Sequence, residues 1–182
     1  MAIHPTKFKG LLVIEAQRFT DERGSFQEVF SEAKFRVLTG LNISFVQDNE
    51  SVSVKDVIRG MHFQVPPKGQ AKLVRVSRGR VLDVVVDLRR NEPTFGQHYK
   101  QVLSAENGLQ LFIPEGFAHG FHVMEDNTIF SYKCSNYYDP SCEQSLRWND
   151  PDFNIQWDCR NPIVSERDTK ASSFADFTSP FF

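Results

Sequence analysis

Cysteine is scarce in this 182-residue chain: Cys134, Cys142 and Cys159 are odd in number and form no close CxxC pair. That excludes a disulfide framework and reads as free thiols in a reducing compartment. Long apolar runs are missing too. The opening MAIHPTKFKGLLVIEAQ has no stretch suited to a signal peptide, and nothing later reaches membrane-spanning length. A soluble cytoplasmic protein with no membrane partner is therefore expected. Nor is there a basic surplus, since 21 Lys and Arg face 23 Asp and Glu for a net charge of −2. A nucleic-acid strand calls for a cationic stripe that neutralises many phosphates, so a nucleic-acid partner is not expected. A few arginines are enough for a ligand carrying one or two phosphates. Repeats, low-complexity stretches and linkers are also lacking. Residues 1–182 thus read as a single domain, with a core at about 10–170 and a C-terminal tail at 171–182.

Phenylalanine, by contrast, is abundant: 17 residues in an aromatic total of 13%. Flat rings at that density suit a β-rich core better than a helical bundle, which draws more on Leu and Ala. Short β-like segments recur between turn residues. The clearest is AKLVRVSRGRVLDVVVDL, residues 71–88, where Ser77-Arg78-Gly79 reads as the turn of a hairpin. Others are GLLVIEAQRF, SFVQDNESV, VIRGMHFQ, LQLFIP, GFHVM and TIFSYKC. Only residues 31–40 resemble a helix, with Ser31 as N-cap and Gly40 as stop. Many strands with little helix predict an all-β protein, a jelly-roll β-sandwich or barrel with a few short helices.

Strand alternation then predicts which residues share a face. It groups His119, Phe121 and Val123, and separately Phe130 with Tyr132, while His122 points away from His119. Strict alternation would place His62 inward and Arg59 outward. An irregularity at Gly60 is expected if both are to serve one ligand.

Two segments carry chemistry, RGMHFQ (59–64) and IPEGFAHGF (113–121). The Pro-x-Gly-x-x-His of the second resembles the second motif of the cupin superfamily, whose metal-binding members also use a His-x-His pair and a Glu. Here Gln64 stands where the second His would follow His62, and the next strand begins with Lys72 in place of a carboxylate. An ammonium in the pocket repels a dication, so no metal is expected there. The same ammonium stabilises an anion that develops during a reaction. That points to proton abstraction beside a carbonyl, with His62 as base, Asp168 in SERD orienting it, Lys72 and His119 facing the oxyanion, and Tyr132 as opposing acid.

An ordered set of segments makes the likeness specific: DERGSFQEVF (21–30), FVQDNESVS (45–53), VIRGMHFQ, QAKLVRVSRGRVLDVVVDLR (70–89), PTFG (93–96), IPEGFAHGF, YKCSNYYDP (132–140), WNDP (148–151) and SERD (165–168). In this order the chain resembles the dTDP-4-dehydrorhamnose 3,5-epimerase (RmlC) family over about residues 20 to 170. The resemblance implies a cupin-type jelly roll and an isomerase that inverts C3 and C5 of dTDP-4-dehydro-6-deoxy-D-glucose without a cofactor, because the acidifying ketone is already present. It implies His62 as proton acceptor, Asp168 as its partner, Tyr132 as proton donor, and Lys72 and His119 around the ketone. Arg23, Glu28, Gln47, Asn49, Arg59 and Glu143 match nucleotide-sugar contacts, Tyr138 matches the ring stacked on thymine, and Arg167 stands where many relatives have Lys. The family also implies a homodimer with strands exchanged at the interface. Met61 and Cys159 depart from the usual pattern, as does the tail ASSFADFTSPFF, whose Phe cluster is expected to pack on a partner subunit.

Each residue also has a plain structural role to fill. A histidine in a strand or after a turn often only caps or hydrogen-bonds, and Lys72 at a strand start is commonly exposed. Tyr132 can be core with its hydroxyl at the rim, Arg23 and Glu28 a weak surface pair, and Asp168 a helix-start carboxylate. The competing functions are a 3-only epimerase or ketoisomerase of related deoxysugars, and a non-catalytic or metal-dependent cupin.

Overall fold

The computed structural model describes residues 1–182. Along the chain come β1 (Ala2–Pro5), β2 (Leu12–Glu15), β3 (Arg18–Asp21), β4 (Gly24–Gln27) and α1 (Glu32–Thr39). The sandwich strands follow: β5 (Gln47–Ser53), β6 (Val57–Gln64), β7 (Lys72–Arg78), β8 (Arg80–Asp87), β9 (His98–Ser104), β10 (Leu109–Ile113), β11 (Phe117–Val123) and β12 (Thr128–Cys134). Last are β13 (Glu143–Ser145), β14 (Ile163–Val164) and α2 (Glu166–Thr169). No helix is long and apolar enough to cross a membrane.

Two sheets face each other, one in the order β1-β2-β10-β7-β12-β5 and the other β13-β6-β11-β8-β9. This is the expected all-β jelly roll. Between them lies a core that includes Val74, Val76, Val81, Val85, Leu111, Phe121, Val123 and Phe130. The alternate residues of the same strands are also apolar and buried. Leu73 and Phe112 pack outside the first sheet, and Leu82, Val84 and Val86 outside the second. A strand apolar on both faces must be covered on both. Helix α1 helps cover the first sheet with Phe35, whose ring meets Phe112 edge-on at 5.3 Å. Burying such a ring stabilises by about 2 kcal/mol. The predicted caps hold α1: Ser31 Oγ accepts from the Lys34 amide, and Gly40 adopts φ +70°.

Two expectations are corrected. Residues 71–88 form no hairpin, because β7 pairs with β10 and β12 while β8 pairs with β11 and β9. Gly79, at φ +80°, turns the chain from one sheet into the other, and any Cβ there would collide with Thr128. The second correction concerns the tail. Phe174, Phe177 and Phe181 cover the outer face of this chain's own second sheet. Phe63 meets the Phe177 and Phe181 rings at 5.4 and 6.2 Å, and the Arg90 amide donates to the Phe181 carbonyl at 3.1 Å. Strand β9 (HYKQVLS) escaped the sequence reading because its polar residues mask the alternation.

Candidate active site

A cavity of about 270 Å³ is lined by Gln47 and Asn49 of β5, His62 of β6, Lys72 of β7, Tyr132 of β12 and Glu143 of β13, with Tyr138 at its edge. Strand pairing explains how β6 serves it. His62 lies opposite His119, but Arg59 lies opposite Phe121, so three steps along β6 match two along β11. This bulge falls at Gly60, where an irregularity was expected. It resets the alternation so that positions 59 and 62 serve the same side. Glycine is required there: φ is +133°, and a Cβ would sit 2.5 Å from the Cα of Gly120. Arg59 donates to Ser53 Oγ at 3.1 and 3.3 Å, and its positive charge acts on Tyr132.

His62 and Asp168 are joined, Nε2 to Oδ1, at 2.7 Å across 106 positions of sequence. The contact depends on β14, which runs parallel to β6 in the register Ile163 to Val57 and Val164 to Ile58. The chain then enters α2, where Ser165 Oγ accepts from the Asp168 amide at 3.1 Å. Asp168 is thus both a residue of a capped helix start and the partner of His62. Its side chain is only 4% exposed, and Oδ2 accepts from the Gly60 amide at 3.3 Å. Burial alone pushes this carboxyl up. The His62 hydrogen bond and charge, with the Gly60 and Ser165 contacts, outweigh burial and bring it below its ordinary value.

A second imidazole–carboxylate pair lies on the neighbouring strands. His119 Nε2 meets Asp83 Oδ2 at 2.9 Å, with both side chains buried. Burial lowers the basicity of His119; Asp83 opposes that, while Lys72 and His62 add to it. Burial likewise pulls Lys72 down from the ordinary lysine value against the charges of Cys134, Asp83 and Glu143. Tyr132 is pushed up, mainly by burial, so its phenol holds its proton. The Lys72 ammonium lies 5.9 Å from the centre of the Tyr132 ring. The alternation expected for these strands is present: His119 packs near Phe121 and Phe130, Phe130 touches Tyr132, and His122 faces away toward Asp56. Sequence reasoning missed Asp83. The signal was there, an acid at an inward position of the otherwise apolar VLDVVVD strand.

The residues matched to nucleotide contacts divide into two groups. Gln47 donates to Asn49 at 3.0 Å and accepts from the Tyr138 amide at 2.9 Å. The Tyr138 hydroxyl donates to Glu143 at 2.6 Å, and Arg167 pairs with the same carboxylate at 2.9 Å. Burial raises the Glu143 carboxyl, but the bonds from Arg167 and Tyr138 prevail and hold it below its ordinary value. Gln64, at the position of a second cupin histidine, binds the adjoining loop instead. It donates to the Lys68 and Tyr137 carbonyls and accepts from the Asp139 amide at 2.7 Å. Arg23 and Glu28, however, are not brought to the cavity of their own chain. Arg23 lies at the tip of the β3–β4 hairpin, 85% exposed and paired with Asp21, and Glu28 pairs with Lys34 of α1. The hairpin pairs only with itself, which leaves Phe19 and Phe26 exposed.

The jelly roll, with an imidazole, an amine and a phenol around one cavity, places the protein among the cupin-like folds equipped for proton transfer. The model of the dTDP-4-dehydrorhamnose 3,5-epimerase family matches residues 5–176, and the chain belongs to that family. The chain is 45% identical over 176 residues to the dTDP-4-dehydrorhamnose 3,5-epimerase of Shigella flexneri, covering 97% of each. The fold is similar to the crystal structure of the Elizabethkingia anophelis enzyme of the same name, with a TM-score of 0.92, 49% identity and 97% coverage of each chain. It is also similar to the Legionella pneumophila epimerase solved with dTDP-4-keto-L-rhamnose, with a TM-score of 0.95 at 40% identity, covering 100% of this chain and 98% of the other.

Proposed function

We propose that the protein converts dTDP-4-dehydro-6-deoxy-D-glucose to dTDP-4-dehydro-L-rhamnose by inverting C3 and C5. The observation that carries this reading is the 2.7 Å contact between His62 and the buried Asp168, in the cavity that also holds Lys72 and Tyr132. The ketone at C4 acidifies the C–H bond on either side of it. His62 takes the proton, and the bonding pair moves into an enolate whose negative oxygen meets the Lys72 ammonium. Asp168 holds the imidazole and stabilises the imidazolium that forms. Tyr132 gives its proton to carbon from the opposite face. The imidazolium then releases its proton to solvent, and the phenolate recovers one.

His119 has one nitrogen committed to Asp83, so Nδ1 is the atom left for the sugar, and Asp83 balances the charge of Lys72 at rest. No redox cofactor is called for, because no electrons are exchanged. In this reading Tyr138 stacks on the thymine, with Gln47, Asn49, Arg59, Glu143 and Arg167 as nucleotide-sugar contacts. Arg23, at the tip of a hairpin with exposed rings, and Glu28, just beyond that hairpin, do not line this chain's cavity, which supports a homodimer in which that segment completes the other subunit's site. Three unpaired thiols favour a cytoplasmic setting.

The test is to incubate the protein with dTDP-4-dehydro-6-deoxyglucose in deuterium oxide and locate the label by NMR. Deuterium at both C3 and C5 is expected. Label at C3 alone would make the protein a 3-epimerase, and no label would end the catalytic reading.

A further inference from the structure

On the face of the second sheet turned away from the catalytic cavity, three side chains from distant segments converge. Asp56 lies in the turn between β5 and β6, His122 on β11, and Cys159 in the segment that leads into β14. A carboxylate oxygen, an imidazole nitrogen and a thiol sulfur lie within 4.8 Å of one another. His122 Nε2 is 3.5 Å from Asp56 Oδ1, and Cys159 Sγ is 3.7 Å from the same oxygen.

The ring of His122 is the second observation. Its side chain is 4% exposed, yet neither Nδ1 nor Nε2 has a hydrogen-bond partner. A buried imidazole that makes no hydrogen bond at either nitrogen, with Nε2 only at ion-pair range of Asp56, is costly, and such a group calls for a specific occupant.

We propose that Asp56, His122 and Cys159 form a binding site for a divalent transition-metal ion of the zinc type. Thiolate, imidazole and carboxylate together are the donor set such an ion prefers, and calcium and magnesium do not take sulfur. The two separations measured from the Asp56 oxygen fit as well. Tetrahedral zinc with ordinary bond lengths sets nitrogen and oxygen ligands about 3.4 Å apart, and sulfur and oxygen about 3.6 Å apart. The structure has 3.5 and 3.7 Å. Asp56 is 39% exposed, so the fourth position opens to solvent and takes water.

The backbone around the triad is already joined, since the Asp56 amide donates to the Val123 carbonyl and its own carbonyl accepts from the Ile163 amide. A bound ion fastens the same three segments through their side chains. It therefore braces the start of β6 against β14, the pair that positions Asp168 under His62. The site is distinct from the catalytic cavity, where no metal is expected, and its effect is on stability rather than on chemistry.

The test uses cobalt(II) as an optical stand-in for zinc. Titration of the metal-free full-length protein should give one equivalent of intense visible d–d absorption with a thiolate-to-cobalt charge-transfer band, both displaced by zinc. Cys159→Ser and His122→Gln should each abolish the bands, while circular dichroism and the epimerase rate stay as in the parent. Zinc should raise the melting temperature of the parent and leave that of Cys159→Ser unchanged. Absence of the bands in the folded parent, or bands that survive in both variants, would overturn the site and leave the triad an ordinary ion pair.

Discussion

His62 and His119 lie directly opposite each other on β6 and β11, yet each ring is tied to a different buried carboxylate. His62 meets Asp168 at 2.7 Å and His119 meets Asp83 at 2.9 Å. The two pairs differ in access: the His62 side chain is 30% exposed and that of His119 only 7%. The open ring is the one that can take a proton and pass it on. The closed one is suited to orienting its neighbours.

Replacing Tyr132 by Phe separates the two halves of the reaction. The base remains, so deuterium still enters the starting sugar, but the donor on the opposite face is gone. The ratio of inverted product to solvent exchange should fall about 100-fold, a typical contribution for one acid–base group. NMR of the sugar protons in deuterium oxide reads both quantities. An unchanged ratio would remove Tyr132 from the donor role.

The burial of His119 makes stability depend on pH. Its native pKa lies below the ordinary value of 6.5, chiefly through burial. In the window just below that value the unfolded chain binds the proton more readily, so stability falls as the pH drops through it. His119→Gln keeps a hydrogen bond to Asp83 without titrating. Its melting temperature should therefore drop less than the parent's between pH 7 and pH 5, measured by thermal scans in matched buffers.

Arg23 offers a test of subunit exchange. If the hairpin that carries it completes the other subunit's cavity, Arg23→Ala and His62→Ala proteins are each impaired. Unfolding and refolding them together should restore activity, because one site of each mixed dimer then has both residues intact. If Arg23 served its own chain, the mixture would stay as impaired as its components. Rate assays before and after mixing decide.

Gly60→Ala tests the bulge. The added methyl would meet the backbone of Gly120 and His119, at a φ of +133°. A loss of about 3 kcal/mol is expected from the strain and the displaced backbone, read from urea unfolding midpoints. A shift below about 0.5 kcal/mol would mean that β6 accommodates a side chain there.

Local signals were the most legible in the sequence. Helix α1 was readable because Ser31 and Gly40 cap it from within a ten-residue span. The irregularity at Gly60 followed from the demand that two residues of opposite parity serve one face. The crossing at Gly79 was not readable, because a tight turn between two apolar strands looks the same whether they pair or part. The proximity of His62 and Asp168 was beyond any spacing argument, since it depends on β14 lying parallel to β6. Asp83 was overlooked for want of a motif, although its position in an apolar strand marked it. Arg23 lies on the β3–β4 hairpin, away from its own chain's cavity, and a single chain's sequence carries no sign of that.

We propose His62, held by Asp168, as the base. The most direct test is the rate at which His62→Ala incorporates deuterium at C3 and C5 of the dTDP-sugar, with dTDP binding measured alongside. Incorporation should fall at least about 1000-fold with nucleotide affinity preserved. Incorporation at the parent rate would contradict that role and send the search for the base elsewhere in the cavity.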